Sequence, residues 1–119
     1  MDRSEDQARA QLESILEMVE ALDAGGEEAI RAIQEDPLSV EVKSGWHSPE
    51  EKDEATEYQI LLCTGGPAVR IIGDLDEHGN PETAYIEHQD WFTPWRRFKT
   101  TGEESDTLLK YAQQFYFGL

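Results

Sequence analysis

The strongest nucleophile in this chain is its one cysteine, Cys63, and the candidate general base is His88. Nucleophilic catalysis needs thiol and imidazole within hydrogen-bond reach, and a third group to orient the base. Cys63 ends the apolar run Ile60-Leu61-Leu62-Cys63, and His88 lies two strand-like segments later. In a meander a further strand separates them, so Cys63 reads as an inert packing thiol. The plausible transition-metal ligands are His47, His78, His88 and Asp90. His88 and Asp90 share a strand face, since alternate residues do, but two ligands make a weak site, and His47 and His78 lie in loops with no helpful spacing. The acidic loop at 50–57 lacks the alternating Asp/Asn ligands and central Gly of a calcium loop. Gly65-Gly66-Pro67 joins two strand-like runs with no Lys after it, whereas a phosphate cradle leads into a helix and usually carries one. It reads as a hairpin turn. The expectation is a chain with no catalytic residue, no cofactor and no metal.

Charge points elsewhere. Among 119 residues are 26 acids and 10 bases, a net charge of −16. Residues 1–57 carry −12 of it and residues 58–119 carry −4. Such a chain is repelled by nucleic-acid phosphates and anionic membranes, so the expected partner is a protein with a basic surface. Asp6, Glu13, Glu17 and Glu20 fall opposite an apolar stripe on the first helix. Carboxylates at three- and four-residue steps stand about 5–6 Å apart there, which fits either a solvated face or a mimic of nucleic-acid phosphates. Glu50, Glu51, Asp53 and Glu54 in the following loop extend the acidic surface. A second candidate surface is the aromatic-basic segment from Trp91 to Lys99, with Trp95, Arg96, Arg97 and Lys99 as contact residues. Trp and Arg dominate the energetics of protein interfaces. The plainer expectation is that Trp91 and Phe92 close the core while Arg96 and Arg97 pair with acids of the helices.

The elements that must position these residues follow from periodicity. Ser4 to Gln7 has capping-box spacing. Behind it Ala8, Leu12, Ile15, Leu16, Val19 and Leu22 recur at helical steps up to Gly25-Gly26. Glu27 to Glu35 reads as a second helix burying Ala29, Ile30 and Ile33, ended by Asp36-Pro37. The period then becomes two: Leu38, Val40 and Val42 alternate with polar residues, as in a half-buried strand. Strands at 58–63 and 68–72 join through the glycine turn, and a turn at 76–81 leads to a strand over about 83–91. After an irregular stretch, Leu108, Tyr111, Ala112 and Phe115 mark a last helix. The expected fold is a single α+β domain: a helical part at 1–35, a four-stranded antiparallel meander over 38–92 and a C-terminal helix over 104–117. All helices cover one face. The polar start Met1-Asp2-Arg3-Ser4, the lack of a long apolar run and the single cysteine predict a cytoplasmic protein.

Four stretches carry a resemblance: 36–42 (Asp36-Pro37-Leu38-Ser39-Val40-Glu41-Val42), 61–71 (from Leu61 through Gly65-Gly66-Pro67 to Ile71), 89–95 (from Gln89 through Trp91 to Trp95), and 111–118 (from Tyr111 to Gly118). Together they make the chain resemble short acidic proteins of unknown function carried by bacterial phages and other mobile elements. The family brings no catalytic residue. The resemblance implies a non-enzymatic binding protein in a bacterial host cell, of the kind that inhibits nucleic-acid-handling defence proteins, as anti-CRISPR and anti-restriction proteins do. The alternative is a small structural or regulatory accessory protein, as a homodimer, whose acidity serves only solubility.

Overall fold

A computed structural model describes residues 3–50, 55–91 and 93–117. Two helices open the chain, α1 (Arg3–Asp23) and α2 (Glu27–Glu35). Five strands follow, β1 (Ser39–Ser44), β2 (Ala55–Cys63), β3 (Ala68–Asp74), β4 (Tyr85–Gln89) and β5 (Arg96–Arg97), and then α3 (Gly102–Ala112). The sheet runs β1-β2-β3-β4-β5 with every neighbouring pair antiparallel. The α+β class and the order of consecutive strands are those expected. The fifth strand is an addition: Arg96-Arg97 has no apolar alternation to announce it and pairs only with His88 and Glu87.

The core lies between the helices and one face of the sheet. α1 buries Ala8, Leu12, Ile15 and Val19, packing on β3, β4 and α3. Tyr58 and Ile60 of β2, Val69 and Ile71 of β3, Ile86 of β4, and Leu108, Tyr111 and Ala112 of α3 meet that stripe in one cluster. Burying a Leu or Ile side chain stabilises by about 1.5–3 kcal/mol. Leu12, Ile15, Ile60, Ile71 and Ile86 are all fully buried, so they fix the helix layer on the sheet. The β2–β3 turn uses one of its two glycines for its backbone: Gly65 has φ +103°, a conformation side chains disfavour.

Several local expectations are corrected. Ser4 does not cap α1: it sits in the first turn, buried, with its hydroxyl 2.8 Å from His88 Nδ1. The capping box is on α3, where Thr101 Oγ1 accepts from the Glu104 amide and the Glu104 carboxylate accepts from the Thr101 amide. β2 begins at Ala55, three residues earlier than expected, and β4 is confined to Tyr85–Gln89. Of the three α2 residues assigned to the core, Ile33 is buried but Ile30 is 40% exposed. β1 is not half-buried, since Leu38, Val40 and Val42 are all exposed. The reason is width: a helix about 10 Å across covers about two strands spaced about 4.8 Å apart. α1 sits over β3 and β4, which leaves β1 overhanging. Trp91 does not close the core either, being 64% exposed beyond the end of β4. Phe92 lies outside the described residues.

Candidate functional site

Asp6, Glu13, Glu17 and Glu20 are all exposed on the outward face of α1, as expected. From Glu13 to Glu20 the row spans about 10 Å at 1.5 Å per residue. Arg9 interrupts it: Arg9 stands between Asp6 and Glu13 on the same face and pairs with Glu104 of α3 at 3.3 Å. The continuous part is therefore Glu13, Glu17 and Glu20, and among the described residues none of the three is in an ion pair. Its position opposes helix physics. Glu5 and Asp6 in the first turn complement the helix dipole, but the last turn has no basic residue, and Glu20 and Asp23 lie where anions are disfavoured. Only Asp23 is offset, by Lys110 at 2.8 Å. Of the second acidic cluster, Glu50 is exposed. Glu51, Asp53 and Glu54 lie outside the described residues.

The aromatic-basic segment divides between the two faces of the sheet. Trp95 is half-buried on the face away from the helices, with the Arg70 guanidinium 4.0 Å from its ring. Arg70 Nε and Nη2 donate to Glu87 Oε1 at 3.0 and 2.7 Å, and Nη1 donates to Gln59 Oε1 at 2.7 Å. Arg97 does not pair with a helix acid as the plainer expectation had it: its guanidinium lies 3.8 Å over the Tyr85 ring. Arg96 and Lys99 border a cleft of about 500 Å³ at the start of α1, with Glu5, Asp6, Arg9 and His88 on its walls. The first-turn acids of α1 and the basic segment thus meet, so Asp6 belongs with this cleft and not with the acidic row. The outward Gln59–Arg70–Glu87 network escaped sequence reading, although strand alternation puts all three on one face.

The nucleophile candidates stay apart. β3 stands between β2, which ends at Cys63, and β4, which carries His88. The Cys63 thiol lies half-buried against the core, 3.9 Å from the Pro67 carbonyl oxygen. Burial raises its pKa above the ordinary thiol value, against hydrogen bonds from Val69 and Gln11 that lower it. A thiol so placed is poorly ionised and a weak nucleophile. Ser4 and His88 do form a close hydroxyl–imidazole pair that sequence reasoning did not foresee, since 84 residues separate them. Both side chains are buried, at 1% and 5% exposure. His47 bonds its neighbour's carbonyl, His47 Nδ1 to Ser48 O at 2.9 Å, and His78 sits in the exposed 76–81 turn. Among the described residues no group of three or more His, Cys, Asp and Glu stands close enough to hold a metal ion, and no helix is long and apolar enough to cross a membrane. The chain matches no protein-family model, no curated protein and no solved structure.

Proposed function

We propose that this chain is a non-enzymatic binding protein whose acidic α1 face occupies a basic surface of a nucleic-acid-handling protein. The observation that carries this is the cost of that face to the helix itself. Like charges at three- and four-residue steps, as in Glu13–Glu17–Glu20, destabilise a helix by about 0.2–0.5 kcal/mol per pair. Glu20, an anion in the last turn, costs a further ~0.3–1 kcal/mol against the helix dipole. Acid needed only for solubility gains nothing from this placement, whereas acid in a row imitates a phosphate strand. The resemblance to short acidic phage and mobile-element proteins supports a setting in which the target is a host defence protein, of the CRISPR or restriction type. The buried Ser4–His88 pair and the poorly ionised Cys63 favour binding over catalysis.

The test is the triple replacement Glu13→Gln, Glu17→Gln and Glu20→Gln. It should raise the melting temperature slightly, because the repulsion goes, while weakening capture of the partner from bacterial lysate at low salt. Charges that steer encounter act mainly on association rate. The captured protein, once purified, should bind duplex DNA, and duplex DNA should displace the wild-type chain from it. Unchanged association rate and salt slope in the triple variant would sink the mimicry.

A further inference from the structure

β1 forms one edge of the sheet, and among the described residues nothing covers its apolar helix-side face. Register with β2 puts Val40 opposite Ile60 and Val42 opposite Tyr58, so the two valines face the helix layer. They are nonetheless 36% and 46% exposed, with Leu38 at 61% and Trp46 fully exposed. Within β1, strand alternation puts Val40, Val42 and Ser44 on one face, and the exposed Leu38 and Trp46 flank the strand at either end. Such an edge offers unpaired backbone N–H and C=O groups, which native proteins blunt with bulges, prolines or inward charges. Here the irregularity is on the other strand. Lys43 pairs with Glu57 and Ser44 with Ala55, so the extra residue is Thr56 of β2, and β1 itself runs regular to its end. The only charges on β1, Glu41 and Lys43, point to the opposite face.

Those two charges choose the occupant. We infer that β1 pairs antiparallel with β1 of a second copy of this chain, about a two-fold axis through Val42, joining the two sheets into one. In that register Glu41 of each copy faces Lys43 of the other, Val42 faces Val42, and Val40 faces Ser44. A slip of one residue would turn the apolar stripe to the wrong face. A slip of two in either direction sets Glu41 against Glu41 or Lys43 against Lys43, and like charges directly opposite destabilise a strand pair. One register therefore satisfies both the apolar face and the charged one. Within each chain Lys43 lies 3.5 Å from Glu57 and Glu41 accepts from Gln59 at 3.2 Å, both at the surface, where these side chains can be shared across the axis. The strand is self-complementary, which a surface meant for an unrelated strand has no need to be. Two chains at −16 repel each other, so salt should strengthen this association. Binding through the acidic α1 face is weakened by salt, so either reading can fail without the other.

The full chain, with Cys63→Ser to remove its only native thiol, is the material for the test. Val42→Cys should give an intermolecular disulfide on oxidation, because the axis brings like residues within the Cα separation such a bond requires. Glu41→Cys and Lys43→Cys should each cross-link poorly alone and well when mixed. In sedimentation, Glu41→Lys and Lys43→Glu should each weaken self-association about tenfold. An equimolar mixture of the two should recover it, since unlike charges then face each other at both positions. Far-UV circular dichroism confirms that each variant is folded, which is expected at these exposed sites. A monomer at about 1 mM protein and about 0.5 M salt would overturn the proposal. So would a dimer indifferent to both charge reversals, a mixture no better than its components, or cross-linking strongest for Glu41→Cys alone.

Discussion

Replacing Arg70 by Met tests whether the uncovered face of the sheet is held by charge or only by its backbone ladder. Three guanidinium nitrogens reach Glu87 and Gln59 at 2.7–3.0 Å, and the same group lies 4.0 Å from the centre of the Trp95 ring. The Arg70 and Glu87 side chains are only 22% and 13% exposed. A fully exposed ion pair contributes about 0–1 kcal/mol, while removing one partner of a buried pair costs about 3–5 kcal/mol. This pair lies between those limits. Hydrogen bonds to charged groups contribute about 1.5–3 kcal/mol and the stacking about 0.5–1 kcal/mol. Met keeps the apolar stem, so the net loss should be about 2–3 kcal/mol. For a domain of this size that is a fall of roughly 8–15 °C in melting temperature. Thermal melts followed by circular dichroism measure it, and the cycle with Glu87→Met isolates the pair. The double variant should lose less than Arg70→Met alone, because no carboxylate is left stranded. A fall of under about 3 °C for Arg70→Met, or a double variant that loses the full sum of the singles, would refute this account of the face.

Gly73→Ala should cost about 3 kcal/mol or more and lower the denaturant midpoint, because a Cβ at this position runs into the Thr83 carbonyl and the Tyr58 ring; a loss under about 1 kcal/mol would show that the strand can give way there. The chain should also lose stability in alkali. The Tyr58 hydroxyl donates to the Thr83 carbonyl at 2.6 Å and that of Tyr111 to Asp36 Oδ2 at 2.7 Å. Burial first, then Asp74 beside Tyr58 and Asp36 beside Tyr111, raises both pKa values above the ordinary one near 10. The unfolded chain therefore gives up these protons first, so the stabilisation is intact below about pH 10 and falls above it by about 1.4 kcal/mol per unit for each tyrosine. Urea melts across this range should show a shallower decline for Tyr58→Phe with Tyr111→Phe, and an unchanged decline would count against the assignment.

What was legible in the sequence is what periodicity encodes. The α1 stripe and the glycine turn each arise from local spacing, and the structure has them where expected, while β2 is present but begins three residues early. Most of the misses share one cause, that burial is a tertiary property. Val40 and Val42 alternate as a half-buried strand does, but nothing in a strand's own residues says how far the helix layer extends. Ser4 has the spacing of a cap and is claimed by His88, 84 residues away. Thr101-Gly102-Glu103-Glu104 carries the capping-box spacing as plainly as Ser4 to Gln7 does, and was readable. Arg70 and Glu87 sit in separate strands, and only the β3–β4 register, which no single strand reveals, brings them opposite.

The placement of the acid bears on both proposals at once. Charge needed only to keep a chain dispersed can sit anywhere exposed, and the loops, the α2 surface and the outer sheet face all offer sites that cost nothing. Glu13, Glu17 and Glu20 instead repel one another along one helix, and the net charge to which they contribute opposes the pairing of two β1 edges. The repulsion along α1 supports the proposed contact over dispersal alone. The two contacts then respond to salt in opposite senses. Low ionic strength favours the acidic row meeting a basic partner, and higher ionic strength favours the β1 edge meeting its own copy. A titration of salt on the same preparation, with partner binding and self-association followed side by side, therefore tests each surface under the condition that weakens the other.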